Sequence, residues 1–330
     1  MSFTSRAEWQ DGPSGISFFT KRWIPSESPT VAKLIFIHGF VEHILRYDHV
    51  YSRYAEAGIE VFAFDQRGFG QTAAKTHTEG QTSWAEGLSD IEFFIKQEAN
   101  VSTKVFLMGH SMALRIPQIN KQTHTRVLHD LTVPPHLSQS HHACVPRKKG
   151  GGLAFAYFTR PVPLPSSSLI TGGLVLSSPL IAQTPGVATP NLILRLGSFV
   201  GAVLPKLTLK VGLEPKDISR DPVVQEQYAH DPLCAPIGTV KGIADMIIGG
   251  KGLLDKDYQR FPSQLPLLAV HGTGDKITYY VATKNLVEKT NAKDKTFKEF
   301  EGFYHEMHNE PGNDKIEEMD YIINWIKAHI

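Results

Sequence analysis

The chain has little cysteine. Cys144 and Cys234 are the only two among 330 residues, too few for a disulfide framework, so a small stapled fold is excluded. It has no run of 18 apolar residues, which leaves no basis for expecting a membrane-spanning helix. The opening Met-Ser-Phe-Thr-Ser-Arg-Ala-Glu lacks the apolar stretch of a secretory signal. Charge of one sign is missing too: 34 lysines and arginines face 33 acids, and no basic surface for nucleic acid is indicated. Internal repeats are absent. These absences point to a cytosolic or peripherally attached protein that is not secreted. At this length it can form one large α/β domain with an embedded subdomain.

What is present is an alternation of apolar strands and amphipathic helices. Residues 15–24 alternate as an early antiparallel strand. Apolar runs at 32–37, 59–64, 105–108, 173–176, 265–270 and 296–300 read as strands. Helical periodicity falls at 47–57, 83–98, 281–290 and 314–330. This rhythm predicts a mostly parallel sheet with right-handed crossovers. The turns after the apolar runs carry Gly, His and Asp, which fits ligand binding beyond the carboxyl ends of parallel strands. Between about 181 and 262 the strand rhythm stops, and helical stretches at 192–203 and 240–254 alternate with Pro/Gly breaks. The expected division is a core of 1–180 and 263–330 with a helical cap at 181–262. Within the cap, 191–204 is nearly all apolar yet too short to span a bilayer. It is either a helix that dips into lipid and admits an acyl chain or a helix packed on the core.

The run 105–108 leads into Gly109-His110-Ser111-Met112-Ala113. A buried strand delivering a serine at a sharp turn into a helix is a nucleophile elbow, written Gly-x-Ser-x-Gly. The last glycine is missing here. Instead of a small-residue helix there is Leu114-Arg115-Ile116-Pro117, with a proline where the helix should be under way. The expected continuation begins at Gly150-Gly151-Gly152. Joining Met112 to Gly150 gives Gly-His-Ser-Met-Gly-Gly-Gly-Leu-Ala-Phe-Ala-Tyr, a complete elbow and helix over 151–159. Residues 113–149 are therefore read as an insertion inside the motif. Those 37 residues hold six basic residues against the single acid Asp130, five of the chain's 15 histidines, four prolines, no glycine and no aromatic residue. A structureless loop of that length inside a compact domain is unusual. A translated, retained intron accounts for it. Lys149 can end on the usual AG, although Ala113 requires the minor GC-type start. The alternative is a natural surface loop.

Serine at its free pKa is a poor nucleophile and needs a histidine base oriented by a carboxylate. Ser111 follows one strand, Asp275 a later one and His305 the last, the order expected of such elbows. His308, three residues on, is the rival base. The oxyanion requires two preorganised donors, expected from the backbone N–H groups of Met112 and of Phe40 in the His38-Gly39 loop. Asp65 and Arg67, in Asp65-Gln66-Arg67-Gly68-Phe69-Gly70, are read as turn-shaping residues. His141, His142 and Cys144 are metal-ligand types, but one loose group in a basic stretch is a weak zinc signal. No metal or cofactor is expected.

Taken together, His38-Gly-Phe-Val-Glu-His43, Phe64-Asp-Gln-Arg-Gly-Phe-Gly70, the split Gly109-His-Ser-Met112 and Gly150-Gly-Gly152, Ser178-Pro-Leu180, His230-Asp-Pro-Leu233, His271-Gly-Thr-Gly-Asp275 and Glu301-Gly-Phe-Tyr-His305-Glu-Met-His-Asn-Glu310 resemble the monoacylglycerol lipases, fungal members in particular. The resemblance covers nearly the whole chain outside 113–149. It implies an α/β-hydrolase fold with a mostly parallel eight-stranded sheet, hydrolysis of monoacylglycerols to fatty acid and glycerol without a cofactor, and peripheral attachment to membranes or lipid droplets. It also implies a triad of Ser111, Asp275 and His305 with Phe40 and Met112 as oxyanion donors. The insertion departs from the family and predicts impaired activity for this chain. The competing readings are a lysophospholipase or carboxylesterase, and a catalytically silent lipid-binding form. Haloalkane dehalogenase chemistry is disfavoured because the elbow carries serine and not aspartate.

Overall fold

The computed structural model describes residues 2–99, 102–111, 152–186, 188–211 and 213–330. Met112 and the stretch 113–149 lie outside them, as do Gly150 and Gly151.

Eight strands form one sheet: β1 (Phe3–Asp11), β2 (Ser17–Pro25), β3 (Ala32–Ile37), β4 (Ile59–Phe64), β5 (Lys104–His110), β6 (Gly173–Ser177), β9 (Leu267–Gly272) and β10 (Lys295–Phe300). Their order is β1-β2-β4-β3-β5-β6-β9-β10. Pairing is antiparallel from β1 to β4 and parallel across the remaining six strands. The expected eight-stranded, mostly parallel sheet is the one observed. Strands β3, β6 and β9 are buried along their length, and β5 from Val105 onward. A strand covered on both faces cannot alternate polar with apolar residues, and this is why they read as continuous apolar runs. One face packs Phe62, Phe94, Leu107, Phe155 and Leu176. The other packs Trp23, Tyr51, Phe106, Leu268 and Ile322.

Two features were not anticipated. β1 is an edge strand, half exposed along Thr4, Ser5, Arg6 and Glu8, so it lacks an apolar signature and forms because β2 offers a ladder. The block expected to be purely helical contains a two-stranded sheet, β7 (Thr208–Lys210) against β8 (Ile237–Thr239). Strands of three residues are too short to show a period.

The helix Trp84–Glu98 starts on the Ser83 side chain, which accepts the Glu86 amide and donates its hydroxyl to the Glu86 carboxylate. This is a serine N-cap, which satisfies one of the free amides of the first turn. The helix after the elbow is Leu153–Phe158, every residue of it buried. In the block between β6 and β9, the helix Asn191–Val203 sits against Val240–Asp255. Gly201 permits the approach, since a Cβ there would lie 2.7 Å from the Lys241 backbone. Its other side is open to solvent: Leu192 is 68 % exposed and Phe199 71 %, with Ile193, Leu196 and Val203 beside them. Of the two readings of this helix, packing accounts for the glycine side alone, and the apolar side is uncovered. No helix among the described residues is long and apolar enough to cross a membrane.

Candidate active site

Parallel strands end on one edge of the sheet, and three of those ends converge. β5 delivers Ser111, the turn after β9 delivers Asp275, and the turn after β10 delivers His305. Ser111 is held in the left-handed region, φ +51°. A non-glycine residue there costs about 1–3 kcal/mol and persists only where its surroundings dictate it. They do so here: the Ser111 amide donates to the Ser177 carbonyl at 3.0 Å, and the Ser111 carbonyl accepts from the Leu180 amide at 3.2 Å. Gly109 is required by packing, because a Cβ would meet Ala154 Cβ at 2.7 Å. The small residue before the serine thus lets the following helix lie against the strand.

Ser111 Oγ lies 2.6 Å from His305 Nε2, and His305 Nδ1 lies 2.7 Å from Asp275 Oδ2. All three side chains are buried. His308 does not compete for the serine. Its ring stacks on Tyr47 at 4.6 Å between centroids and meets the His110 ring edge-on. Burial holds His308 well below the ordinary imidazole value. The crossing of the His305 loop over β9 is close enough that Gly272 is obligatory: a Cβ there would lie 2.3 Å from the Phe303 carbonyl oxygen.

Asp275 shows why it can orient a histidine. Its Oδ1 accepts the amides of Ile277 and Thr278 at 2.7 and 2.9 Å. Its Oδ2 accepts the Thr278 hydroxyl at 2.6 Å and faces His271 Nε2 at 3.1 Å. Burial by itself would raise this carboxyl, but the neighbouring His305 and the hydrogen bonds from His271 and His305 outweigh it and hold it far below the usual carboxylate range. For His305 the balance reverses. Burial would lower it, and the Asp275 charge and hydrogen bond raise it above the ordinary value. His271 and Thr278 were not singled out from sequence. The available signal was a histidine ending the strand four residues before the aspartate.

In the loop after β3, the Phe40 amide meets no acceptor among the described residues. The next residue, Val41, has φ +59°, a genuine outlier for a β-branched side chain. The second expected donor, the Met112 amide, lies outside the described residues. His38 is a tie and not a base: its Nε2 accepts the Gln66 amide at 2.8 Å, its Nδ1 lies 2.7 Å from the Gly39 carbonyl oxygen, and burial lowers its pKa to about 4. Asp65 caps two amides, Ile44 and Gln71, at 2.8 and 2.7 Å. Arg67 pairs with Asp90 through two nitrogens. Both shape turns, as read from sequence.

The loop after β3 is tied to the block between β6 and β9. His43 Nε2 lies 2.8 Å from Asp231 Oδ2, and Arg46 pairs with Glu306 at 2.6 Å, whose amide donates to the Ile218 carbonyl. His43, Asp231 and Cys234 bring ligand-type atoms within 4.8 Å of one another. Burial pushes the Cys234 thiol up, and His43 is already bonded to Asp231. The weak candidate group His141, His142 and Cys144 lies outside the described residues.

A serine on a strained elbow, a histidine and a buried aspartate in line at the carboxyl edge of a parallel sheet define an α/β-hydrolase. The sequence pattern of the Serine aminopeptidase, S33, family matches residues 28–113 and 147–312, and the chain belongs to that family. The match leaves 114–146 unaligned, within the segment read as an insertion. The provisionally named monoglyceride lipase of Schizosaccharomyces pombe is 29 % identical over 314 residues, 94 % of this chain and 71 % of that protein. The monoacylglycerol lipase of Mycolicibacterium smegmatis is 26 % identical over 322 residues, covering 97 % and 96 % of the two chains. Among solved structures, a soluble variant of monoglyceride lipase from Saccharomyces cerevisiae in complex with a substrate analog superposes with a TM-score of 0.78 at 21 % identity, over 99 % of this chain and 97 % of that one. At that identity the likeness is one of fold.

Proposed function

We propose that this carboxylic ester hydrolase cleaves monoacylglycerols to fatty acid and glycerol through an acyl-enzyme on Ser111. The observation that carries the reading is the continuous line from Ser111 Oγ through His305 to Asp275. In this reading His305 Nε2 takes the serine proton as Oγ attacks the ester carbonyl. The same proton then passes to the departing glycerol oxygen. Water, deprotonated by His305, releases the fatty acid from the acyl-serine. Asp275 keeps the Nδ1 proton in place and stabilises the imidazolium. The Phe40 and Met112 amides receive the oxyanion. The test is turnover of long-chain monoacylglycerol against lysophospholipid and short-chain esters, with fluorophosphonate labelling of Ser111. Faster turnover of the lysophospholipid or short ester assigns a neighbouring esterase activity, and binding without labelling assigns a lipid carrier.

The block 181–262 serves in this reading as a cap, and its helix Asn191–Val203 rests on lipid. Its support is the row of exposed Leu192, Leu196, Phe199 and Val203. Burying one phenylalanine contributes about 1.5–3 kcal/mol. Phe199→Asp is therefore expected to weaken binding to phosphatidylcholine vesicles by roughly ten- to a hundredfold in a sedimentation assay. Hydrolysis of a water-soluble ester is expected to stay as it was. Vesicle binding that survives the substitution removes this helix from the lipid contact.

The segment 113–149 is read as an interruption that impairs turnover. Its support is the composition of the segment and the family pattern that passes over 114–146. A nucleophile elbow relies on the next residue's amide and on the helix that follows it. Loss of one oxyanion donor costs about 10²–10³ in rate. Joining Met112 directly to Gly150 is expected to raise kcat by about that factor. Equal turnover by the two forms makes 113–149 a tolerated loop.

A further inference from the structure

We propose that Glu318 is a positioning residue for the reaction at Ser111: it holds Ser177, and Ser177 holds the nucleophile's backbone. The proposal rests on the reading of Ser111 as nucleophile and adds a residue from the last helix to it.

Glu318 occupies an odd place. The helix Asp314–Ala328 buries Met319, Ile322, Ile323, Trp325 and Ile326. Glu318 lies four and seven residues before Ile322 and Trp325, on the same stripe, and is 1 % exposed. A carboxyl group in an apolar stripe costs stability unless something is gained from it. Its bond is to the Ser177 hydroxyl, which donates to Glu318 Oε1 at 3.2 Å. Glu318 Oε2 has no partner among the described residues, and neither has His308 Nε2. Both residues line one small pocket with Met108, His110 and Ser177, behind the strand that carries the serine. Burial raises the Glu318 pKa to about 7.

Ser177 and Ser178 form the corner that closes β6, and both ends of the triad are attached to it. The Ser177 carbonyl accepts the Ser111 amide at 3.0 Å. The Ser178 carbonyl accepts the Thr278 hydroxyl at 3.3 Å, and that hydroxyl also reaches Asp275. Ser178 is itself left-handed, φ +43°. Two strained residues, Ser111 and Ser178, are thus joined through the Ser177 carbonyl, which accepts the Ser111 amide. Strain of this kind holds only when neighbours over-determine it. The Ser177 side chain is anchored from below by Glu318, so the last helix contributes to where Ser111 Oγ stands relative to His305.

The experiment is a double-mutant cycle on kcat and KM for monoacylglycerol with the full chain, with Ser111→Ala as reference. Glu318→Leu and Ser177→Ala are each expected to lower kcat about tenfold, since small misplacements of reacting groups are costly, and to leave KM within about twofold. The double variant is expected to lose no more than either single, because both remove the same bond. Glu318→Gln, which can still accept from Ser177, is expected to keep kcat within about twofold of the parent. Losses that multiply, or single variants with the parent's kcat, overturn the proposal. If Glu318→Leu fails to fold, Ser177→Ala decides, since it leaves the helix untouched. A Ser111→Ala variant that keeps the parent's activity overturns the nucleophile reading itself and is told apart by that reference.

Discussion

Ser111→Ala and His305→Ala are each expected to lower kcat by about 10⁴–10⁶, and the pair together no further than either alone. The non-additivity is the informative part. Oγ and Nε2 stand 2.6 Å apart, and in the proposed mechanism they act on one proton, so removing either partner leaves the other with nothing to do. What remains is the rate supplied by binding and by whichever oxyanion donors are in place. Alanine at 111 also changes the backbone little, because the left-handed turn is held by the Ser177 and Leu180 hydrogen bonds and not by the hydroxyl. Initial rates on purified variants, with melting curves to show that each is folded, check this. Losses that multiply in the double variant would place the two residues in separate roles.

Asp275→Asn is expected to lower kcat by about 10⁴ and to move the acid limb of kcat/KM toward lower pH. The sign follows from the balance at His305. Only neutral imidazole can take the serine proton, so activity is full above the histidine pKa and is lost as pH falls through it. The Asp275 charge and hydrogen bond raise that pKa above its ordinary value against the effect of burial. The acid limb of the parent therefore stands above about pH 6.5, the ordinary imidazole value. Asparagine removes the charge, burial prevails, and the limb shifts down. The fall in rate has a separate cause. Asp275 Oδ2 accepts from Thr278 and faces two histidine nitrogens, and an amide that turns its NH₂ toward His305 selects the wrong tautomer. A pH–rate profile from about pH 5 to 9 reads both effects. A rate loss with an unmoved limb would mean that Asp275 acts by geometry alone.

The sheet is legible in the sequence because its central strands are buried on both faces and must be largely apolar. The turns that bear Ser111, Asp275 and His305 were legible for a related reason. Gly109 and Gly272 sit where a Cβ would collide with Ala154 and Phe303, so the chain records the crossings as glycines beside the polar residue. The edge strand β1 left no such mark, because its pairing is backbone to backbone and its side chains face water. The short β7–β8 pair left none because three residues carry no period.

The sequence favours His305 as the base and leaves His308 as its rival, since both follow the same glycine turn. In the fold His308 stacks on Tyr47, and His305 Nε2 lies 2.6 Å from Ser111 Oγ. The sequence by itself determined the central strands, the longer helices of the core and the place of Ser111 and Asp275 in turns after strands, because each is written in local composition and spacing. Tertiary structure alone decided that His308 stacks on Tyr47, that His271 and Thr278 share the aspartate, that the apolar side of Asn191–Val203 faces outward, and that Glu318 meets Ser177 from 141 positions away. Those are contacts between segments distant along the chain, and the distance between two side chains is fixed only when the strands that carry them are packed.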